Sequence, residues 1–208
     1  MSALDLQNPE GLSMATDDLV RCDWCQGDAL YRHYHDKVWG YPEFDDRVLF
    51  EFLLLEGAQA GLSWITILRK QENYRLALDG FDPELIARYG DQKKAELLSN
   101  ARIVRNRLKS DSCVTNARSY LAILESGRQF KDYLWDCVDG RPIQNHFVSI
   151  ADVPAHTVVS DALSKRLKAD GFKFVGTTIC YALMQATGMV NDHLVSCHRH
   201  RECAVACP

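Results

Sequence analysis

The sequence predicts an all-α domain built from many short helices around a shared core. Two observations carry this expectation. Nearly every segment after residue 20 shows helical periodicity with start and stop signals. Convincing alternating strands are absent. At 208 residues, 47% hydrophobic and 25% charged, the chain has the composition of an ordinary globular domain.

The elements follow in order. Residues 1–20 are polar and aperiodic, which predicts a disordered leader. DDRVLFEFLLLEGAQAG opens on aspartates that suit an N-cap and ends near glycine. SWITILRKQENYRLAL reads as one helix capped by Ser63, and DPELIARY starts with Pro83 at a favoured first position. Further helices are predicted near 91–99, 113–126, 129–138, 160–170 and 177–187. In the 160–170 helix, Ser160 or Asp161 is the expected cap and Gly171 lies just past the end.

Several function classes are excluded or disfavoured. The longest apolar run, LFEFLLLEGAQAGL, is interrupted by Glu51 and Glu56, so no membrane span is predicted. The N-terminus lacks the basic start and apolar middle of a secretory signal, and a cytoplasmic protein with reduced cysteines is expected. A net charge of −4 argues mildly against a nucleic-acid partner without excluding one. Basic residues gather at Arg102, Arg105, Arg107 and Lys109, and at Lys165, Arg166, Lys168 and Lys173. On charge alone, both groups read as solvated helix faces.

Three segments carry chemistry. The first is the helix, short glycine-flanked FKFVG turn and second helix over 160–187. It reads either as a plain helical hairpin or as a helix-hairpin-helix element aiming backbone N–H groups at a phosphate. The second is the Cys/His content of the two ends. His193 and Cys197, four apart, share a face if helical, which suits two ligands of one tetrahedral Zn²⁺. Cys203 and Cys207 offer a local completion; Cys22, Cys25, His33 and His35 offer one from the other end. The latter would clip the domain's two ends together.

The third is Glu56. Leu49, Phe52, Leu53 and Glu56 follow the i, i+3, i+4, i+7 spacing of one apolar stripe. A carboxylate there, near a helix C-terminus, is disfavoured by burial and by the helix dipole, and requires a donor or cation. An arginine partner or escape to solvent would be structural answers. A pocket floored by Glu56 and walled by Trp64 would instead suit a flat, cationic, amine-bearing ligand.

Taken together, YHDKVWG (34–40), LEGAQAGLSWITILRKQENYR (55–75), FDP (81–83), SDALSKRLKADGFKFVGTTICYALMQATG (160–188) and VNDHLVSC (190–197) closely resemble the 3-methyladenine-DNA glycosylase I family, a branch of the helix-hairpin-helix glycosylases. The resemblance covers Arg21 to Cys197. It implies a glycosylase domain over 21–197 and leaves 198–208 as a flexible Cys/His-rich tail. It implies a monomeric repair enzyme that acts on alkylated double-stranded DNA and releases 3-methyladenine. By resemblance, one structural zinc is held by Cys22, His35, His193 and Cys197, and the base pocket comprises Glu56, Tyr31, Tyr34, Trp39 and Trp64. Leu62, after Gly61 and near Gln59 in the DNA-binding set, resembles the family's plug into the vacated base stack, and Gly171, Lys173 and Gly176 belong to the hairpin that grips the backbone. Asp192, in VNDH, is not assigned the catalytic role of the superfamily's aspartate. A catalytically silent, zinc-clipped DNA-binding module is the competing class.

Overall fold

A computed structural model describes residues 18–206. The leader expected over 1–20 lies almost wholly outside the described residues, as does Cys207. The chain folds into α1 (Ala29–Lys37), α2 (Asp46–Gln59), α3 (Trp64–Leu68), α4 (Gln71–Ala77), α5 (Pro83–Ile86), α6 (Asp91–Ser99), α7 (Arg107–Glu125), α8 (Phe130–Trp135), α9 (Val158–Ala169), α10 (Thr177–Ala186) and α11 (His198–Val205). Two short strands, β1 (Ile143–Gln144) and β2 (Val190–Asn191), form a parallel pair. No described helix is long and apolar enough to cross a membrane.

Helix α2 is the axis of the core. Asp45 caps it by accepting from the amides of Arg47 and Val48. Every residue from Leu49 to Ala58 is buried, because α3, α7, α8 and α10 surround it. Its acidic interruption at Glu51 has a structural answer. Glu51 accepts from Gln71 Nε2 at 2.9 Å and pairs with Arg75 at 3.0 Å.

The structure revises several boundaries. The single helix expected over 63–78 is two, broken at Arg69–Lys70, and α4 turns Gln71 and Arg75 onto Glu51. The helix expected from 113 starts at Arg107, capped by Asn106. Its polar SDSCVT stretch is helical, and the Ser112 and Thr115 hydroxyls are satisfied there by donating to carbonyls three and four residues back. Helix α9 is capped by Thr157, not by Ser160 or Asp161; Thr157 and Ser160 form a reciprocal capping box. Helix α1 is not foreseen by the sequence reading. Asp28 starts it by accepting from the Tyr31 amide.

Residues 198–205 of the expected tail are helical. They form α11, with Arg199 and Cys203 buried. Asn191 Nδ2 donates to the His200 carbonyl at 2.9 Å, and the His200 ring meets the Asn145 carbonyl at 2.8 Å. These contacts tie α11 to both strand segments. His193 and Cys197 do not share a helix; they flank a turn closed by the Cys197 amide on the Leu194 carbonyl.

Candidate functional site

Two adjoining features gather the chemistry. The first is a buried cluster of Cys22, His35, His193 and Cys197, whose ligand atoms all lie within 4.8 Å of one another. The Cys197 sulfur is 3.4 Å from His35 Nε2 and 3.6 Å from His193 Nδ1; the Cys22 sulfur is 3.7 Å from His193 Nδ1. A tetrahedron with Zn–S and Zn–N bonds of ordinary length has S···N edges of about 3.5 Å. The donor set and its spacing therefore fit a tetrahedral metal ion. The outer nitrogens are also held: His35 Nδ1 meets Asp36 at 2.8 Å, and His193 Nε2 meets the Trp39 carbonyl at 3.0 Å. Arg21 in turn fixes Asp36. Such outer partners orient metal-binding imidazoles. Hydrogen bonding between the two thiols lowers Cys197 far below, and raises Cys22 far above, the ordinary cysteine range.

The competitors for the metal fall elsewhere. Cys25 turns its thiol to the Cys22 carbonyl at 3.1 Å. His198 bonds the Val20 carbonyl, and His33 lies outside the cluster. Cys203 is buried separately.

The second feature is a cavity of about 200 Å³ lined by Tyr31, Tyr34, Trp39, Glu56, Gln59 and Trp64, with Trp24, Gln185 and Asp192 among its other walls. All five expected pocket residues meet here. Tyr31, Tyr34 and Trp39 come from α1 and its C-terminal turn, Glu56 from the last turn of α2, and Trp64 from the start of α3. Tyr34 and Trp64 rings lie 5.5 Å apart. Glu56 is 3% exposed, and its Oε2 has no hydrogen-bond partner among the described residues. Burial alone pushes its carboxyl up to about 8. Unlike Glu51, it makes no ion pair with an arginine among the described residues. The Trp64 indole nitrogen also lacks a partner among the described residues.

The sequence reading missed Trp24. Its ring lies edge-on to Tyr31 (4.8 Å), Trp39 (5.0 Å) and His35 (5.3 Å). Its position between Cys22 and Cys25 was the available signal: a ligand loop closing on the pocket carries its neighbour there. Trp39 packs on His193 at 4.6 Å, so the cluster and the cavity share a wall. Asp192 also lines the cavity, but its carboxylate is occupied by Tyr181 (2.7 Å), Gln185 (2.8 Å) and Asn145 (2.7 Å).

The expected DNA-facing residues form two exposed points. Gln59 to Leu62 make a tight turn: the Leu62 amide donates to the Gln59 carbonyl at 2.6 Å, with Gly61 at φ +80°. Only glycine adopts that conformation without strain at this turn position. Leu62 is 41% exposed at the tip. Gly171, Lys173 and Gly176 lie in the turn between α9 and α10, with Lys173 exposed and Gly176 capping α10. Neither group lines the cavity except Gln59.

Residues 24–200 match the family described as methyladenine glycosylase. The chain is similar to DNA-3-methyladenine glycosylase 1 of Escherichia coli (strain K12), with 49% identity over 179 residues, covering 86% of this chain and 96% of that protein. A crystal structure of 3-methyladenine DNA glycosylase I superposes with a TM-score of 0.85 at 51% identity, covering 86% of this chain and 98% of the other. A variant of 3-methyladenine DNA glycosylase I solved in complex with 3-methyladenine superposes with a TM-score of 0.82 at 34% identity, covering 90% and 97%.

Proposed function

Because the chain belongs to the methyladenine glycosylase family, we infer that it is a DNA glycosylase that hydrolyses the N-glycosidic bond of 3-methyladenine in alkylated DNA. The observation that carries the pocket assignment is the unpartnered, buried Glu56 among aromatic rings. Methylation at N3 gives the attached base a positive charge. Aromatic faces and one carboxylate favour that cation over neutral adenine. Glu56 also offers an acceptor to the exocyclic amine, which guanine does not present in the same place.

The damaged nucleotide is flipped into the cavity, where Tyr31, Tyr34, Trp39 and Trp64 hold the base with Glu56. The bond between the sugar and the base breaks with its electron pair leaving on the base, which becomes neutral 3-methyladenine. The oxocarbenium-like sugar is captured by water, which gives up a proton. The charged base is a good leaving group, so no strong general acid is needed. Asp192, already holding three donors, stands in the wall as a positioning group.

On this reading Leu62, raised by Gly61 and flanked by Gln59, fills the gap left by the flipped nucleotide in double-stranded DNA. The α9–α10 turn acts as the helix-hairpin-helix grip: Gly176, with open space where a Cβ would sit, leaves room for the phosphate, Gly171 (φ +90°) turns the chain close against Ser119, and Lys173 supplies charge. Cys22, His35, His193 and Cys197 hold one structural Zn²⁺, which stabilises the fold and takes no part in the chemistry. The glycosylase domain runs over 21–197, and α11 (His198–Val205) packs against it. The enzyme works as a monomer in the cytoplasm, where its thiols stay reduced.

The test is chromatographic identification of free bases released from methylated duplex DNA, with Glu56→Gln alongside. Release of 3-methyladenine, weakened at least about a hundredfold in the variant, is expected from loss of the charge contact. A folded, metal-loaded protein that releases no base overturns the assignment.

A further inference from the structure

The turn that carries Leu62 is held by a residue far along the chain. Lys109 Nζ donates to the Ala58 carbonyl at 2.8 Å and to the Ala60 carbonyl at 2.7 Å. These two oxygens belong to the end of α2 and to its cap, where helix carbonyls lack internal partners. The neighbouring carbonyls of Gly57 and Gln59 are taken by the amides of Ala60 and Leu62. Lys109 thus meets the carbonyls that the turn itself leaves open. A cation at a helix C-terminus is also favoured by the helix dipole.

Lys109 stands in the first turn of α7, and its amide donates to the capping side chain of Asn106. Two turns further along α7, buried Asn116 grips the other exposed point. Its Oδ1 accepts from the Lys173 amide at 2.7 Å, and its Nδ2 donates to the Lys173 carbonyl at 3.1 Å. One helix therefore holds both the Leu62 turn and the α9–α10 turn. A helix rises about 1.5 Å per residue, so the spacing between the two holding points is set by helix geometry.

We propose that Lys109 is a positioning residue for base flipping. Through α7 it sets the height of Leu62 relative to the hairpin backbone that Asn116 holds. This rests on the reading that both turns meet DNA. The wedge must enter the stack while the hairpin grips the phosphates, and a small misplacement costs rate steeply. Lys109 does not itself line the base pocket and reaches it only through the carbonyls at the end of α2.

The test uses the full-length, metal-loaded protein and three readouts: single-turnover base release from methylated duplex DNA, binding of free 3-methyladenine by tryptophan fluorescence, and the coupling of variants. Lys109→Met keeps the apolar stem and removes both donors. Duplex release is expected to fall about tenfold or more, with free-base affinity unchanged within about twofold. Lys109→Arg, which keeps a donor, retains most of the rate. In a Leu62→Ala background, Lys109→Met should cost little more, because both act through one turn. A parallel loss of free-base binding, or fully additive losses in the double variant, overturns the proposal. So does a normal duplex rate for Lys109→Met where Leu62→Ala is impaired; that result leaves the DNA-contact reading standing. If Leu62→Ala and Lys173→Ala both leave duplex release unchanged, the DNA-contact reading fails and the role of Lys109 with it.

Discussion

Two carboxylates five residues apart on α2 have opposite fates. Glu51 is buried and paired with Arg75 and Gln71, whereas Glu56 is buried with an oxygen unmet among the described residues. Burial raises the Glu56 carboxyl from 4.5 to about 8, so the folded free protein holds a proton that the unfolded chain releases. Stability contributed by that proton is complete below pH 4.5 and is lost as pH rises to about 8. Glu56→Gln should therefore match the wild type in Tm near pH 5 and exceed it at pH 8.5 by roughly several degrees, read by differential scanning calorimetry. For catalysis the sign is opposite. A cationic base wants the carboxylate, so kcat/KM on methylated DNA should climb with pH and level off above about 8. A profile flat from pH 5 to 9 would remove Glu56 from charge recognition. The apolar stripe with one misplaced acid made Glu56 legible in the sequence. No local period marks Trp24, whose place in the pocket depends on how the Cys22 loop closes against α1; its position beside Cys22 was the one signal.

At the scale of elements, strong periodicity and capping made α2, α6, α9 and α10 readable to within a few residues. The misses have local causes. Helix α1 is crowded with Tyr and His, which have modest helix propensity, and it is fixed by the Asp28 cap and the cluster ligand His35. Helix α11 is polar along most of its length and is held by tertiary bonds from Asn191 and to Asn145. The basic residues near 109 read as a solvated face, yet Lys109 closes the end of α2. Nothing in its own neighbourhood signals a partner some fifty positions earlier. For the α9–α10 turn, Lys173→Ala should weaken binding to methylated and unmethylated duplexes alike. It should also reduce the salt dependence of binding by about one counterion in a titration over ionic strength. An effect confined to methylated DNA would place Lys173 at the base instead of the backbone.

Across the whole molecule, the Cys22–His35–His193–Cys197 cluster joins segments from opposite ends of the described chain, and it shares Trp24 and Trp39 with the cavity. On the proposed metal clip, removing the ion should therefore be felt twice. A metal held at a thousand times its Kd contributes about 4 kcal/mol. For a domain this size, chelation should then lower Tm by roughly 8–16 °C. Free 3-methyladenine binding should weaken in the same titration, since the imidazoles behind Trp24 and Trp39 lose their anchor. Re-addition of Zn²⁺ should restore both, and a Tm indifferent to chelator would rule out a metal clip. The same juxtaposition gives the molecule an unusual mechanical character. With a metal bridging Cys22 and Cys197, tension on the chain outside the domain runs from sulfur to sulfur, and the helical body hangs slack beside that path. Under a pulling force the loaded protein should barely lengthen until one metal–thiolate bond ruptures, then release up to roughly 600 Å of chain. Stripped of metal, it should peel from its ends in smaller steps at lower force.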